Sequence, residues 1–422
     1  MPGPQVGFDV ATIERLFGEE AGVLRRGRYQ LLLLANINAA LGTVLVSPLL
    51  EALTGPFAVT EAQAGLMITT FTAPSVVGIP LVGAIADRSG RKPVLVVALL
   101  VFGSAGSAIA FVTEFRLALG LRVLQGIGYA GITPVVITSI GDLYRDAREA
   151  TAQGLRFTSS GAAQATFPVL AGLLVSITWQ YPFLLYAIAL PIAALVYLFY
   201  EEPPRSAHET GSGGRTSYVR DLLRLATRPR VFASVVALSI PAFIYVGFLA
   251  YNSFLVVRVL GGTPGQAGVV IAVISVVYAT AASQVGRVTA LFGGRTVPLV
   301  GANALMGGGL SLFALAPSVP VAYLGAAVMG VGTGLSFSLL RSVITGLASR
   351  SLRGGLVGIG ESAIRLANSL APVGIGAAIA LGRADLGFEP AIRWSLVAVG
   401  VGGGAVGVVA ILVARASASV EG

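Results

Sequence analysis

The 422-residue chain is 55% hydrophobic and 11% charged, with a mean hydropathy of +0.85 and a formal net charge of +9. Soluble domains carry about 25% charged residues, so this composition excludes an ordinary soluble protein and indicates many membrane spans. No cysteine and a single histidine, His208, exclude disulfides, thiolate metal sites and histidine-based catalytic triads.

The positive charge is almost entirely arginine, with Lys92 the single lysine. It is concentrated in short loops on alternate sides of apolar runs, which is the pattern of positive-inside membrane topology rather than of nucleic-acid binding. We therefore expect a lipid bilayer as a partner, with no nucleic acid, no metal site and no bound cofactor.

The N-terminal region, residues 1–27, places Ile13, Leu16 and Phe17 at helical spacing among charged residues, which predicts an amphipathic helix on the membrane surface. The first span, about 29–50, contains Asn36 and Asn38. Amides within a span either join helices or line a ligand cavity, and both interpretations stay open.

Two further apolar runs, about 63–86 and 93–113, flank a burst of charge that is too costly for hydrocarbon and must be a surface loop. Its characteristic residues are Gly83, Asp87, Arg88, Gly90, Arg91 and Lys92. A second copy, Gly286 to Arg295, follows about 203 residues later, and the pairs Gly126/Gly330 and Pro168/Pro372 keep nearly the same offset. The chain therefore looks duplicated.

The loop at 83–92 resembles the complete G-x-x-x-D-R-x-G-R-[RK] signature of the major facilitator superfamily. This resemblance implies an all-α membrane protein of twelve helices in two pseudo-symmetric six-helix bundles, with a central cavity lined mainly by helices 1, 4, 7 and 10. It also implies secondary active transport by alternating access.

The same resemblance implies a cytoplasmic latch. Asp87 is expected to dock at the start of the eleventh helix, near Gly354 to Gly358, and Arg91 to pair with Asp142. The second copy has Ala290 in place of the acid, so the latch should be one-sided. The alternative is that these charges only set the orientation of the chain in the membrane.

The fourth span begins near Arg116 and contains a G-x-G-x-x-G run from Gly126 to Gly131. No strand pattern precedes it, so close helix packing explains these glycines better than dinucleotide binding. Arg122 lies about six residues inside this span, and it either snorkels to the outer surface or needs a partner or a water-filled cavity.

The fifth span, about 150–176, contains Arg156, Gln164 and Pro168. Gly161, Phe167-Pro168 and Gly172 partly match the glycine-rich motif of the drug:proton antiporter branch of the family, so the resemblance suggests antiport.

The predicted domains are an N-terminal six-helix bundle at 28–200, a cytoplasmic linker at 201–230, a C-terminal six-helix bundle at 231–415 and a tail at 416–422. The linker is rich in Gly, Ser, Pro and Arg, and 217–226 is expected to form a short surface helix. Twelve spans place both termini in the cytoplasm of a multi-pass cell-membrane protein, which we expect to be a monomer.

Glu361 is the only acid well inside a predicted span, four residues before Arg365 on the same helix face and at similar depth to Arg341 on the preceding helix. The cluster is either a buried ion pair that joins two helices or the proton-coupling site of the transporter. The candidate cavity residues are Asn36, Asn38, Arg122, Gln125, Tyr129, Gln164, Tyr245, Tyr251, Asn252 and Asn368.

The function expected from the sequence is proton-coupled efflux of lipophilic small molecules, of the multidrug type. One alternative is uptake or exchange of an anionic metabolite, and an alternative of another class is a non-transporting membrane receptor or channel. No nucleophile, base or cofactor motif supports an enzyme.

Overall fold

Apolar stretches of about 20 residues become helices because a helix satisfies its own backbone hydrogen bonds where no water can. We describe the protein from a computed structural model, which describes residues 19–202, 215–348 and 352–420. Within these ranges the regular elements are all helices, as predicted. His208 and the hydrophobic positions of the predicted N-terminal helix lie outside the described residues.

The first half of the described chain contains six long helices. They are α1 (Gly27–Val44), α2 (Glu61–Ser89), α3 (Arg91–Ala108), α4 (Phe115–Leu143), α5 (Asp146–Val175) and α6 (Tyr181–Phe199). A 3-10 turn, Glu19–Arg25, precedes α1, and a short helix, Leu50–Leu53, follows it. The predicted spans coincide with these helices to within a few residues, except that α2 and α4 extend beyond the predicted apolar runs.

The second half of the described chain repeats the plan after a linker helix, Arg215–Ala226, which is the surface helix expected there. Its six long helices are α7 (Pro229–Ser253), α8 (Pro264–Ser283), α9 (Thr296–Ala314), α10 (Val319–Gly346), α11 (Arg353–Leu386) and α12 (Phe388–Val420). A separate short helix, Val285–Leu291, follows α8 after a break at Gln284.

Eleven helices of the described chain are long and apolar enough to cross a membrane. The twelfth long helix, α5, is not among them, and its first part carries Asp146, Arg148, Glu149 and Arg156. The fifth predicted span is therefore a helix of the expected length whose first half is polar. The all-α fold of a multi-pass membrane protein is confirmed.

The helices cluster into two compact units that do not coincide with the two sequence halves. The first unit comprises 1–46, 70–167 and 174–208, and the second comprises 47–69, 168–173 and 209–422. Two segments of the first sequence half, Ser47–Thr69 and Pro168–Leu173, thus belong to the second unit. The predicted domain boundaries follow the duplication of the sequence, and they stay a prediction.

Glycines bring helices of the first unit into close contact. A Cβ added at Gly126 would lie 2.2 Å from the carbonyl oxygen of Phe71, and one at Gly128 would lie 2.6 Å from the backbone nitrogen of Phe102. A side chain would therefore push α4 away from α2 and α3. This confirms that the G-x-G-x-x-G run serves helix packing.

Candidate functional site

An ion pair joins α10 and α11 within the second unit. Arg341 Nη2 lies 2.9 Å from Glu361 Oε1, and their side chains are 44% and 40% exposed. The pairing expected from the sequence is present, but the pair is half-exposed rather than buried. Charged side chains within a membrane-spanning segment normally face a polar partner or water, and here Arg341 and Glu361 are each other's partner.

Aromatic rings surround this pair on one side. The Arg341 guanidinium lies 5.8 Å from the centroid of the Phe337 ring, which meets Tyr278 edge-on at 6.3 Å. Rings beside a guanidinium shield part of it from water and add cation–π attraction. One turn beyond Glu361, Arg365 is half-buried. The site therefore combines fixed positive charge, one carboxylate and an apolar wall.

Four of the ten residues predicted to line a substrate cavity are only partly buried and therefore accessible to a ligand: Tyr129, Gln164, Tyr245 and Asn368. The other six are buried and contact the protein itself. For example, Tyr251 donates a hydrogen bond to the Pro372 carbonyl at 2.8 Å, and Asn252 donates one to the Ala267 carbonyl at 2.9 Å. Asn38 donates to the Leu34 carbonyl at 2.8 Å.

Arg122 is fully buried within the first unit and does not snorkel. Its guanidinium donates to Gln125 Oε1 at 2.6 Å and to the Gly42 carbonyl at 2.9 Å, and it lies 4.4 Å from the centroid of the Phe71 ring. Of the two alternatives left open by the sequence, the structure has Arg122 with partners inside the helix bundle. Arg122 and Gln125 consequently support one another in the packing of α4.

Sequence reasoning missed a polar connection between α1 and α5. Asn36 donates to Ser160 Oγ at 2.6 Å and accepts from Arg156 Nη1 at 3.2 Å, and Arg156 also donates to Gln153 Oε1 at 2.9 Å. Only the interruption of the apolar pattern in the fifth span pointed to these residues. Asn36 therefore joins helices, which is one of its two predicted roles.

The signature loop ends α2 and begins α3 through Gly90, whose φ of +103° disfavours any residue with a side chain. Arg91 Nε lies 2.8 Å from Asp142 Oδ2, so the predicted ion pair is present. Asp87 and Arg88 are exposed. The docking of Asp87 near Gly354 to Gly358 stays a prediction.

Glu202 also contacts this loop. Sequence reasoning missed this contact because Glu202 falls in the predicted linker. Its carboxylate accepts hydrogen bonds from the backbone nitrogens of Arg91 at 2.8 Å and Lys92 at 3.4 Å. A carboxylate is favourable there because the first backbone N–H groups of a helix carry partial positive charge. Burial raises the pKa of the neighbouring Tyr200 phenol above its ordinary value.

Comparison with known proteins agrees with this geometry. The family model described as Major Facilitator Superfamily matches residues 32–261, more than half of the chain. The chain belongs to this superfamily. Membership places it among membrane transporters rather than enzymes, and the signature-loop resemblance is thereby confirmed.

Two of the curated relatives show how far the sequence similarity extends. The bacillibactin exporter of Bacillus subtilis (strain 168) is 35% identical over 150 residues, which are 34% of this chain and 37% of that protein. Multidrug resistance protein MdtL of Salmonella heidelberg (strain SL476) is 26% identical over 303 residues, 70% of this chain and 74% of that protein. The chain spans about a third of the length of the exporter and of several other relatives it matches.

Solved structures show the same fold. A bacterial homologue of the human lysosomal transporter Spinster superimposes with a TM-score of 0.77 at 18% identity, covering 92% of this chain and 97% of that one. A D-xylose–proton symporter superimposes with a TM-score of 0.70 at 16% identity, covering 91% and 95%. At these identities the likeness establishes the fold alone.

Proposed function

We propose that the protein is a secondary active transporter that exports lipophilic small molecules in exchange for protons by alternating access. The observation that carries this proposal is the Arg341–Glu361 ion pair, which lies within two membrane-spanning helices and is nevertheless about 40% exposed. A charged pair at such a position is expensive unless it has access to water, and water is also the route by which a proton reaches a carboxylate.

The coupling step follows from the charges at this pair. A proton on Glu361 would remove the negative charge that holds Arg341 at 2.9 Å, which frees the guanidinium and lets α10 and α11 adjust to one another. A buried, fully enclosed pair would serve only to join the helices. The half-exposed pair can exchange protons and still respond to its partner.

The direction and the substrate class of the proposal rest on different observations. The names of the relatives, an exporter and a multidrug resistance protein, support export of small molecules. The half-buried Tyr129, Tyr245 and Tyr278 supply the aromatic surface that lipophilic ligands need. The proposed location is the cell membrane, with both termini in the cytoplasm and the protein acting as a monomer.

A second candidate is uptake or exchange of an anionic metabolite. It is favoured by the arginines within the helix bundles, since Arg122 and Arg156 are buried and Arg341 and Arg365 flank the one carboxylate, Glu361. An anion would be attracted to such surroundings, whereas a cationic drug would be repelled. Neutral and anionic amphiphiles are therefore the compounds to test first.

The experiment is flux in proteoliposomes that contain the purified protein and a pH-sensitive dye. Neutral, cationic and anionic lipophilic compounds are supplied with and without an imposed pH gradient. We expect saturable movement of neutral or anionic compounds in the direction opposite to the proton. In Glu361→Gln, compound exchange should persist while the accompanying proton movement disappears.

The matched control is Glu389→Gln, which makes the same chemical change in an exposed acid that pairs with Arg393 at 3.0 Å on its own helix. This variant should behave as the wild type. Equal proton movement per transported molecule in Glu361→Gln and wild type would overturn the proposed coupling. Co-directional movement of an anion and a proton would favour the uptake candidate, and unsaturable conductance would indicate a channel.

A further inference from the structure

The least exposed carboxylate among the ion pairs of the described chain, that of Glu61, lies at the opposite end of the helices from the site above. Glu61 occupies the first turn of α2, and its side chain is only 8% exposed. One carboxylate oxygen, Oε1, lies 2.5 Å from Arg258 Nη1, and the other, Oε2, lies 2.7 Å from Arg383 Nη1. One acid therefore holds two guanidiniums. We call these three residues the Glu61 cluster.

Arg258 extends the Glu61 cluster toward the connection between α1 and α2. Its Nε lies 2.8 Å from Glu51 Oε1, and its Nη2 donates to Thr54 Oγ1 at 2.5 Å. The Phe388 ring lies 5.9 Å from the Arg258 guanidinium and 5.6 Å from that of Arg383. Glu61, Arg258 and Arg383 thus each have a partner of opposite charge, and an aromatic ring lies near both guanidiniums.

The positions of these residues in the chain show which segments the Glu61 cluster joins. Glu51, Thr54 and Glu61 lie in the first sequence half, while Arg258 follows α7 and Arg383 lies in the last turn of α11. The segment Ser47–Thr69 is nevertheless part of the second compact unit. The Glu61 cluster is the set of charges that ties this segment to helices about 200 to 320 residues away.

Hydrogen bonds between uncharged groups also attach the segment 47–69 to the rest of the second unit. Ser47 donates to the Leu249 carbonyl at 2.5 Å, and Thr69 donates to the Ser369 carbonyl at 3.0 Å. The Tyr251 hydroxyl would lie 2.5 Å from a Cβ at Gly376, so only a glycine allows this approach. These contacts form along α7 and α11; Arg383 lies on α11, and Arg258 lies in the segment that follows α7.

We infer that the Glu61 cluster is a lock: it holds the segment 47–69 against α7 and α11 in one state of the transport cycle and breaks when the protein opens at that end. Separation would part the Glu61 carboxylate from the two guanidiniums that it now contacts. The lock stabilises the state described here, and it sets how often the opposite state is populated. Under the predicted topology this is the non-cytoplasmic end. The inference rests on the proposed alternating access, but it requires no particular substrate and no proton coupling.

The absence of cysteine from the sequence makes this inference directly testable, since any introduced cysteine is the only thiol. Ala64 is fully buried, one turn inside α2 from Glu61, so Ala64→Cys reports opening at the lock. Gly358 is exposed on α11, one turn before Glu361, and has open space around it, so Gly358→Cys reports the other end. The reporters are alkylated with a hydrophilic maleimide in nanodiscs, where both faces are accessible.

Glu61→Gln should raise the alkylation rate of Ala64→Cys at least about tenfold, which corresponds to about 1.4 kcal/mol in the conformational equilibrium. The same substitution should lower the rate of Gly358→Cys, because opening at one end closes the other in alternating access. Arg383→Gln, which leaves the contact between Glu61 and Arg258 in place, should produce smaller changes in the same directions. Adding Arg383→Gln to Glu61→Gln should change nothing further.

Glu389→Gln again serves as the matched control and should leave both rates unchanged. Equal Ala64→Cys rates with and without Glu61→Gln would overturn the lock. A rise at both reporters would also overturn it, because general loosening raises accessibility everywhere. Should Glu61→Gln fail to fold, the alkylation rates of Ala64→Cys and Gly358→Cys are compared with and without Arg383→Gln, and the same criteria apply. No compound or pH gradient is present, so loss of the lock and loss of proton-coupled export are separate outcomes.

Discussion

The two carboxylates of the second unit on which the proposals rest differ in depth, in their arginine partners and in exposure. Glu361 lies well inside a span, contacts Arg341 and is 40% exposed. Glu61 lies at the beginning of a helix, meets Arg258 and Arg383, and is 8% exposed. Depth along a helix therefore does not decide burial, because the partners that surround a carboxylate do. A half-exposed acid suits proton exchange, and an enclosed acid that contacts two arginines suits fastening.

The largest effect on stability should come from Glu61→Gln. Removing one partner of a buried ion pair typically costs about 3 to 5 kcal/mol, because the remaining charges keep their desolvation cost. The two arginines here are partly exposed, so we expect about 3 kcal/mol, measured as a lowered midpoint of thermal unfolding in detergent. An unchanged midpoint would contradict the burial of this acid.

The two arginines of the Glu61 cluster should differ from one another. Arg258 contacts Glu51, Thr54 and Glu61, whereas Arg383 contacts only Glu61 among the hydrogen-bond partners described for it. We expect Arg258→Gln to cost about 2 kcal/mol and Arg383→Gln about 1 kcal/mol. The same unfolding measurement orders the two variants, and the reverse order would show that the contacts to Glu51 and Thr54 contribute nothing.

A smaller effect on stability is expected for the half-exposed pair. Arg341→Gln and Glu361→Gln should each change the free energy of unfolding by no more than about 1 kcal/mol, since exposed pairs contribute about 0 to 1 kcal/mol. The Glu361→Gln variant should lose proton coupling nonetheless. A loss of stability as large as that of Glu61→Gln would instead make the Arg341–Glu361 pair a fastener of α10 and α11.

The smallest expected effect is the dependence of stability on salt concentration, which should differ between the Glu361 and Glu61 variants. Raising the ionic strength from about 0.1 M to about 1 M shortens the Debye length from about 10 Å to about 3 Å, which screens exposed charges far more than enclosed ones. The stability difference between wild type and Glu361→Gln should therefore shrink in salt. The difference for Glu61→Gln should stay nearly constant, and a parallel decrease would place Glu61 in contact with bulk solvent.

Much of the fold follows from local sequence. Runs of about 20 apolar residues separated by charged loops specify the helices, and the complete signature at 83–92 specifies the family. The Arg91–Asp142 contact at 2.8 Å was implied by the family signature, and the Arg341–Glu361 contact at 2.9 Å was predictable because it joins helices adjacent in the chain. The polar first half of α5 was also visible as an interruption of the apolar pattern.

The tertiary structure alone decided which of the polar residues in the spans are accessible. Arg122 and Arg156 both lie within predicted spans, and the structure buries each with its own set of partners, Gln125 and Gly42 for Arg122 and Asn36 and Gln153 for Arg156. Hydropathy averages over all faces of a helix. It therefore contains no information about which neighbour covers a given face.

The sequence by itself determined that this chain is a helical membrane transporter of two repeated halves, because hydrocarbon imposes the same requirement on every span. It did not determine that Ser47–Thr69 leaves its own half and joins the second unit, or that Glu61 is enclosed there by arginines from α11 and from the segment after α7. Those contacts join residues about 200 to 320 positions apart, and local pattern contains no record of which distant charges meet.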